Sequence, residues 1–139
     1  MFFIGINAFV HAQSKLDSII EKEVFIEKKH IERRVKNYLK KKFLFEYTLK
    51  EKNFSIGDDF RSHKKKRLVY SIVSNSNYII IAYLYGGRSS ENRLVIIDKS
   101  KKIEIVQCLT LNEKSIMSWA DVLQNLKMKK YDLAECKFL

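Results

Sequence analysis

Proline is absent from this 139-residue chain, cysteine occurs twice, histidine three times and glycine four times. Two cysteines are too few for a disulfide scaffold or for a cysteine-built structural zinc site. The histidines, His11, His30 and His63, are too scattered for the close ligand spacing of a metal signature. No apolar run approaches the roughly 20 residues of a membrane-spanning helix. The chain has no internal repeat, low-complexity block or linker, and its length suits one domain. Acidic residues are the last shortage: 16 Asp and Glu face 27 Lys and Arg, leaving a net charge of +11. A field of that size attracts polyanions such as nucleic acid, anionic lipid or acidic glycan. The same excess of Lys, with abundant Ile and Asn and no Pro, also matches translation from an AT-rich genome, so charge alone designates no partner.

What is present argues for a folded chain. Hydrophobic residues make up 46% and aromatics 12%, which excludes intrinsic disorder. Area scaling predicts that a chain of this length buries roughly 68% of its unfolded surface, enough for a self-sufficient core.

The first ten residues, MFFIGINAFV, are almost wholly apolar and uncharged. Val10 and Ala12 suit the −3 and −1 positions of a signal-peptidase site, with Phe2 to Val10 as a short apolar region. The Ala12-Gln13 step resembles that of bacterial export signals, a likeness confined to about a dozen residues. It implies a mature chain starting at Gln13. No Lys or Arg precedes the apolar run, a departure from the export pattern that a start codon assigned too far downstream would explain. The alternative makes the same run a strand of the folded domain. Ser14-Lys15-Leu16-Asp17 has the form of a capping box, placing a helix start just after the cut and favouring export.

Beyond it, Leu16, Ile19, Ile20, Val24, Ile31, Val35, Tyr38 and Leu39 recur at three- and four-residue intervals. The spacing predicts a long helix to about Lys42, bent near Phe25-Ile26 where two apolar residues leave the stripe. Residues 43–49 are aromatic and read as a strand. A polar connection follows to residue 66. Leu68 to Val73, Tyr78 to Tyr85, Arg93 to Ile97 and Ile103 to Leu109 then read as strands joined by short turns. Tyr78 to Tyr85 is apolar throughout and so is expected to be covered on both faces. Ile116, Trp119, Leu123 and Leu126 predict a last helix capped near Asn112 or Ser115. The expected fold is α+β: a long N-terminal helix, an antiparallel meander of about four to five strands and a C-terminal helix, in one domain over residues 13–139.

Signatures of chemistry are sparse. Gly86-Gly87-Arg88-Ser89-Ser90 has the composition of an anion nest but neither the spacing nor the following helix of a phosphate loop, and hairpin turn chemistry accounts for its glycines. Asp58-Asp59 beside Arg61 and His63 lacks the carboxylate frame and catalytic lysine of a metal-dependent nuclease. Neither Cys108 nor Cys136 has a neighbour that marks an activated thiol; a free buried thiol or a single disulfide is the expectation. The basic clusters stand out. Residues 28–42 hold eight Lys and Arg against one Glu, and residues 61–67 hold five with no acid. Arg33, Arg34, Lys40, Lys41, Lys42, Lys64, Lys65, Lys66 and Arg67 are the candidate anion-binding residues, with Phe43, Phe45, Tyr47 and Tyr70 nearby for base stacking. No helix-turn-helix, RRM or zinc-finger pattern accompanies them. No cofactor or metal is expected, and the partner is a protein or polyanion of unspecified identity. The expected role is binding without catalysis, in an exported domain of the bacterial envelope, periplasmic or secreted. The alternative is a cytoplasmic nucleic-acid-binding protein or toxin-like ribonuclease.

Overall fold

The computed structural model describes residues 13–54, 65–86 and 90–139, with the side chain of Phe138 left out. Residues 1–12, where the export expectation falls, lie outside them, as do Asp58, Asp59, His63, Lys64 and most of the 86–90 loop.

The first helix, α1, spans residues 13–22 and buries Leu16, Ile19 and Ile20. The expected long helix breaks where the apolar stripe fails. Val24-Phe25-Ile26 is β-branched and aromatic, so it favours extended chain. The break lets the Phe25 ring meet Trp119 edge-on, 5.9 Å between centroids. Ile26–Glu27 (β1) then pairs with residues 73 and 74 of the next strand. The second helix, α2, covers Arg33–Phe43 and buries Val35 and Leu39. Leu44 ends it in the left-handed conformation, φ 52° and ψ 39°, and its amide returns to the Lys40 carbonyl at 3.0 Å. A non-glycine residue there costs roughly 1–2 kcal/mol, and Leu44 is 78% exposed, so it recovers little by packing. Leu44→Gly is therefore expected to raise stability by about 0.5–1 kcal/mol, net of the entropy glycine adds to the unfolded chain. A lowered urea midpoint would show that the exposed side chain packs more than its accessibility implies.

Four eight-residue strands follow: β2 (Arg67–Ser74), β3 (Tyr78–Tyr85), β4 (Glu91–Asp98) and β5 (Glu104–Leu111). The helix α3 (Trp119–Lys127) then leads into β6 (Tyr131–Ala134). The sheet is a six-stranded antiparallel meander in sequential order, two of whose strands are short edges. Asn75 shapes the β2–β3 turn: its side-chain oxygen accepts from the Asn77 and Tyr78 amides, both at 2.8 Å. Ser118 caps α3, accepting from the Asp121 amide at 3.2 Å, a few residues beyond the expected Asn112 or Ser115.

The expected strand at 43–49 is not formed. Phe43 closes α2, and only Thr48 reaches the sheet, exchanging hydrogen bonds with Arg67 and Val69 at 2.9 and 3.0 Å. Its aromatic residues go inward instead, Phe45 meeting Tyr83 edge-on at 5.1 Å.

Because strand residues alternate faces, each strand feeds two cores. Ile80, Ala82, Leu94, Ile96 and Leu109 pack with α1 and α3. Ile79, Ile81, Tyr83, Val95 and Ile97 pack with Val35 and Leu39 of α2 and with Phe45. The sheet is thus the middle layer, and β3 is buried on both faces. At a β2 bulge, Tyr70 is the unpaired residue between Val69 and Ser71. Its hydroxyl donates to the buried Asn92 side-chain oxygen, while the Asn92 amide donates to the Ser115 carbonyl at 2.9 Å. That pair anchors the connection into α3, and burial raises the Tyr70 phenol's pKa well above its usual range. Among the described residues, no helix is long and apolar enough to cross a membrane.

Candidate functional site

The lysines of α2 do not all face one way. At 100° per residue, Lys36 and Lys40 share one flank of the helix, while Arg34 and Lys41 lie on another. The Lys36–Lys40 flank looks onto residues 45–53, and between the two lies a groove of about 470 Å³. Lys36, Lys40, Lys50 and Lys65 line it, together with His30 and the ring of Tyr47. Among the described residues, Glu46 is the one acidic residue in the lining.

Local structure holds each of these in place. The Lys50 amide donates to Thr48 Oγ1 at 3.1 Å, a side-chain turn that projects Lys50. The Lys65 amide donates to the Asn53 carbonyl at 2.7 Å, so Lys65 is bridged to the far wall. Its ammonium stands 3.2 Å from the exposed Glu46 carboxylate, a pair that solvent screens. Lys36 Nζ lies 5.9 Å from the Tyr47 ring centre, the outer limit of a cation–π contact. Burial pushes the Tyr47 phenol up, so it stays a neutral donor beside the lysines. The arrangement offers ammonium groups, a hydroxyl and an aromatic face in one concavity, which suits an extended anion.

The other candidate residues fare differently. Arg33, Arg34, Lys41 and Lys42 are exposed on α2, with Lys41 and Lys42 in the last turn where they complement the helix dipole. Lys66 is exposed, and its carbonyl accepts from the Gly86 amide at 2.7 Å. Arg67 does not line the groove. Its guanidinium lies 4.8 Å from the Phe45 ring centre and 5.4 Å from that of Tyr85, and its Nε and Nη2 donate to the Leu139 main-chain oxygen. Desolvation lowers the pKa of that half-buried guanidinium, which ties the end of the chain to the sheet. Cys108 and Cys136 form a disulfide, their Cα atoms 5.4 Å apart.

So Lys40 and Lys65, one from each basic cluster, share the groove, and the remaining described candidates do not join them. Sequence reasoning left out Lys36, Lys50 and His30 as site residues, and named Tyr47 only as a nearby ring for base stacking. The four-residue spacing of Lys36 and Lys40 was the signal available for the first. Nothing local announces that Lys50 and Lys65 converge on it. A second cavity of about 480 Å³ lies between Ile26, Ser74 and Ile79, closed at one side by the 2.9 Å Lys99–Glu32 ion pair. Its lining is less basic, and it lacks the aromatic face. Among the described residues, no three His, Cys, Asp or Glu side chains gather closely enough to hold a metal ion.

No family model, curated protein or solved structure matches the chain.

Proposed function

We propose that the protein is an exported binding domain, acting without catalysis, whose lysine groove holds a segment of an acidic polymer. The observation that carries the reading is the convergence of Lys36, Lys40, Lys50 and Lys65 on one concavity, with Glu46 as the sole opposing charge among the described residues. Export is supported by the signal-like pattern of residues 1–12 and by the disulfide, since such bonds persist in oxidising compartments. A native N-terminal mass beginning at Gln13 is the outcome the export reading requires. The binding is electrostatic and tolerant of sequence, because ammonium groups dominate the described lining.

The test compares two quadruple variants of equal charge. Lys36→Gln, Lys40→Gln, Lys50→Gln and Lys65→Gln together empty the groove of lysine. Lys22→Gln, Lys101→Gln, Lys114→Gln and Lys127→Gln remove four exposed lysines elsewhere. Heparin affinity is expected to fall at least tenfold more in the first variant than in the second, with thermal midpoints unchanged. With single-stranded RNA as the probe, each lost contact lowers the log–log salt slope by about 0.7. Equal losses in the two variants would reduce the effect to net charge and remove the groove from the account. A sub-micromolar, sequence-selective RNA complex at physiological salt would establish the nucleic-acid reading instead.

A further inference from the structure

The lysine groove sits beside β2, whose edge Thr48 reaches; the opposite edge of the sheet is β6. The Asn112 amide donates to the Lys130 carbonyl at 3.4 Å, and Thr110 and Cys108 stand opposite Asp132 and Ala134. Antiparallel residues alternate between bonded and non-bonded pairs, so Asp132 and Ala134 turn their amides and carbonyls toward β5. Those of Tyr131 and Leu133 therefore face outward, and among the described residues no backbone group bonds them. An open edge of this kind is a template for another strand, and proteins usually protect it with charge of one sign, lysine above all. The charges on β6 are of both signs. Lys130 and Asp132 are exposed and have no side-chain partner among the described residues, whereas Lys129 is held by Asp17 at 3.8 Å. We propose that two copies of this chain pair through β6, antiparallel across a two-fold axis, with Lys130 of each copy facing Asp132 of the other.

The backbone restricts the register, because the outward residues Tyr131 and Leu133 must meet Tyr131 or Leu133 of the second copy. Centring the axis on Asp132 sets its carboxylate against its own copy, like charges directly opposite. Centring it on Leu133 sets Asp132 against Ala134 and Tyr131 against Glu135, which answers no charge. Centring it on Tyr131 sets Lys130 against Asp132 on both sides of the axis. Both are then non-hydrogen-bonded pairs, the kind in which opposed side chains approach most closely. The edge is self-complementary in that register alone. The same register runs the Leu133–Ala134 end of the second strand past Lys130 toward Met128. Met128 is 55% exposed and, with Lys130 and the exposed Ile116, lines a cavity of about 370 Å³, so apolar surface beside the ladder is covered as well. The charge of +11 on each copy opposes association at long range, and salt at about 0.15 M screens that repulsion beyond about 8 Å.

The experiment is sedimentation equilibrium of the full chain at about 0.15 M salt, where a reversible monomer–dimer equilibrium is expected. Lys130→Asp and Asp132→Lys should each weaken dimerisation about tenfold, since either change sets like charges opposite one another in both pairs. The double variant Lys130→Asp/Asp132→Lys restores opposite charges and should recover the parent affinity. Net charge alone gives the contrary result for Lys130→Asp, which makes the chain less positive and would strengthen association. Both positions are exposed, so thermal midpoints should stay unchanged. Lys36→Gln/Lys40→Gln should leave dimerisation as it is, which separates this surface from the groove. A chain that remains monomeric at millimolar concentration overturns the proposal. A dimer indifferent to both single swaps overturns it too, because its interface lies elsewhere, and so does a double variant as weak as either single one.

Discussion

Ile80→Asp is expected to leave the domain unfolded at room temperature in the absence of stabilising solutes. Ile80 is 1% exposed and sits mid-strand in β3, among Ala82, Leu94 and Ile96 in the core under α1 and α3. The described residues buried in that core are apolar apart from the Tyr70–Asn92 pair, which is already satisfied, and Ser71, which pairs with Ala82. A carboxylate placed there meets no cation, and protonation only exchanges a buried charge for a buried polar group. The cost is several kcal/mol on top of the lost packing. Whole-domain stability is usually about 5–15 kcal/mol, so the variant consumes most or all of it. Ile80→Val is the control, at about 1 kcal/mol, because it trims one methylene and keeps the β-branched shape. Far-UV circular dichroism with urea titration measures both. A cooperative transition for Ile80→Asp at the native midpoint would mean that β3 is not the centre of the sheet.

Loss of the Cys108–Cys136 bond is expected to be the second-largest effect. The bond closes a loop with a sequence separation of 28, for which chain-entropy arguments give about 3–4 kcal/mol of stabilisation through the unfolded state. That corresponds to a fall of about 10 °C in the thermal midpoint of a domain this size. Reduction with dithiothreitol and the double variant Cys108→Ala/Cys136→Ala should agree to within the small cavity term the alanine adds at buried Cys108. The tail has other anchors, namely the Arg67 bonds to Leu139 and the burial of Leu139 itself, so the native fold should persist below the lowered midpoint. An unchanged midpoint after verified reduction would show that the unfolded chain is already constrained, or that these anchors suffice.

The patterned elements were legible in the linear chain. Tyr78 to Tyr85 reads as a strand buried on both faces because its apolar residues do not alternate, and it is one. The helix stripe of Val35 and Leu39 likewise follows from side-chain period, whereas in α3 the period found Trp119, Leu123 and Leu126 but missed the buried Val122 and included Ile116, which lies outside the helix and is exposed. The bend foreseen at Phe25-Ile26 marked the place where the first helix ends. Local pattern failed where a residue's partner lies far along the chain. Phe45 and Tyr47 have strand chemistry, yet Phe45 is drawn into the core by Tyr83, 38 positions later, and leaves the sheet edge to Thr48 alone. The functional residues divide in the same way. Net charge and the two basic clusters are properties of composition, and they were visible at once. That Lys40 and Lys65 share a groove with Lys36 and Lys50, while Arg67 turns to the Leu139 main chain, depends on the faces of a helix and on a bridge between Phe54 and Lys65. Solvated charges carry almost no local conformational preference, so the packed apolar framework beneath them decides which ones meet.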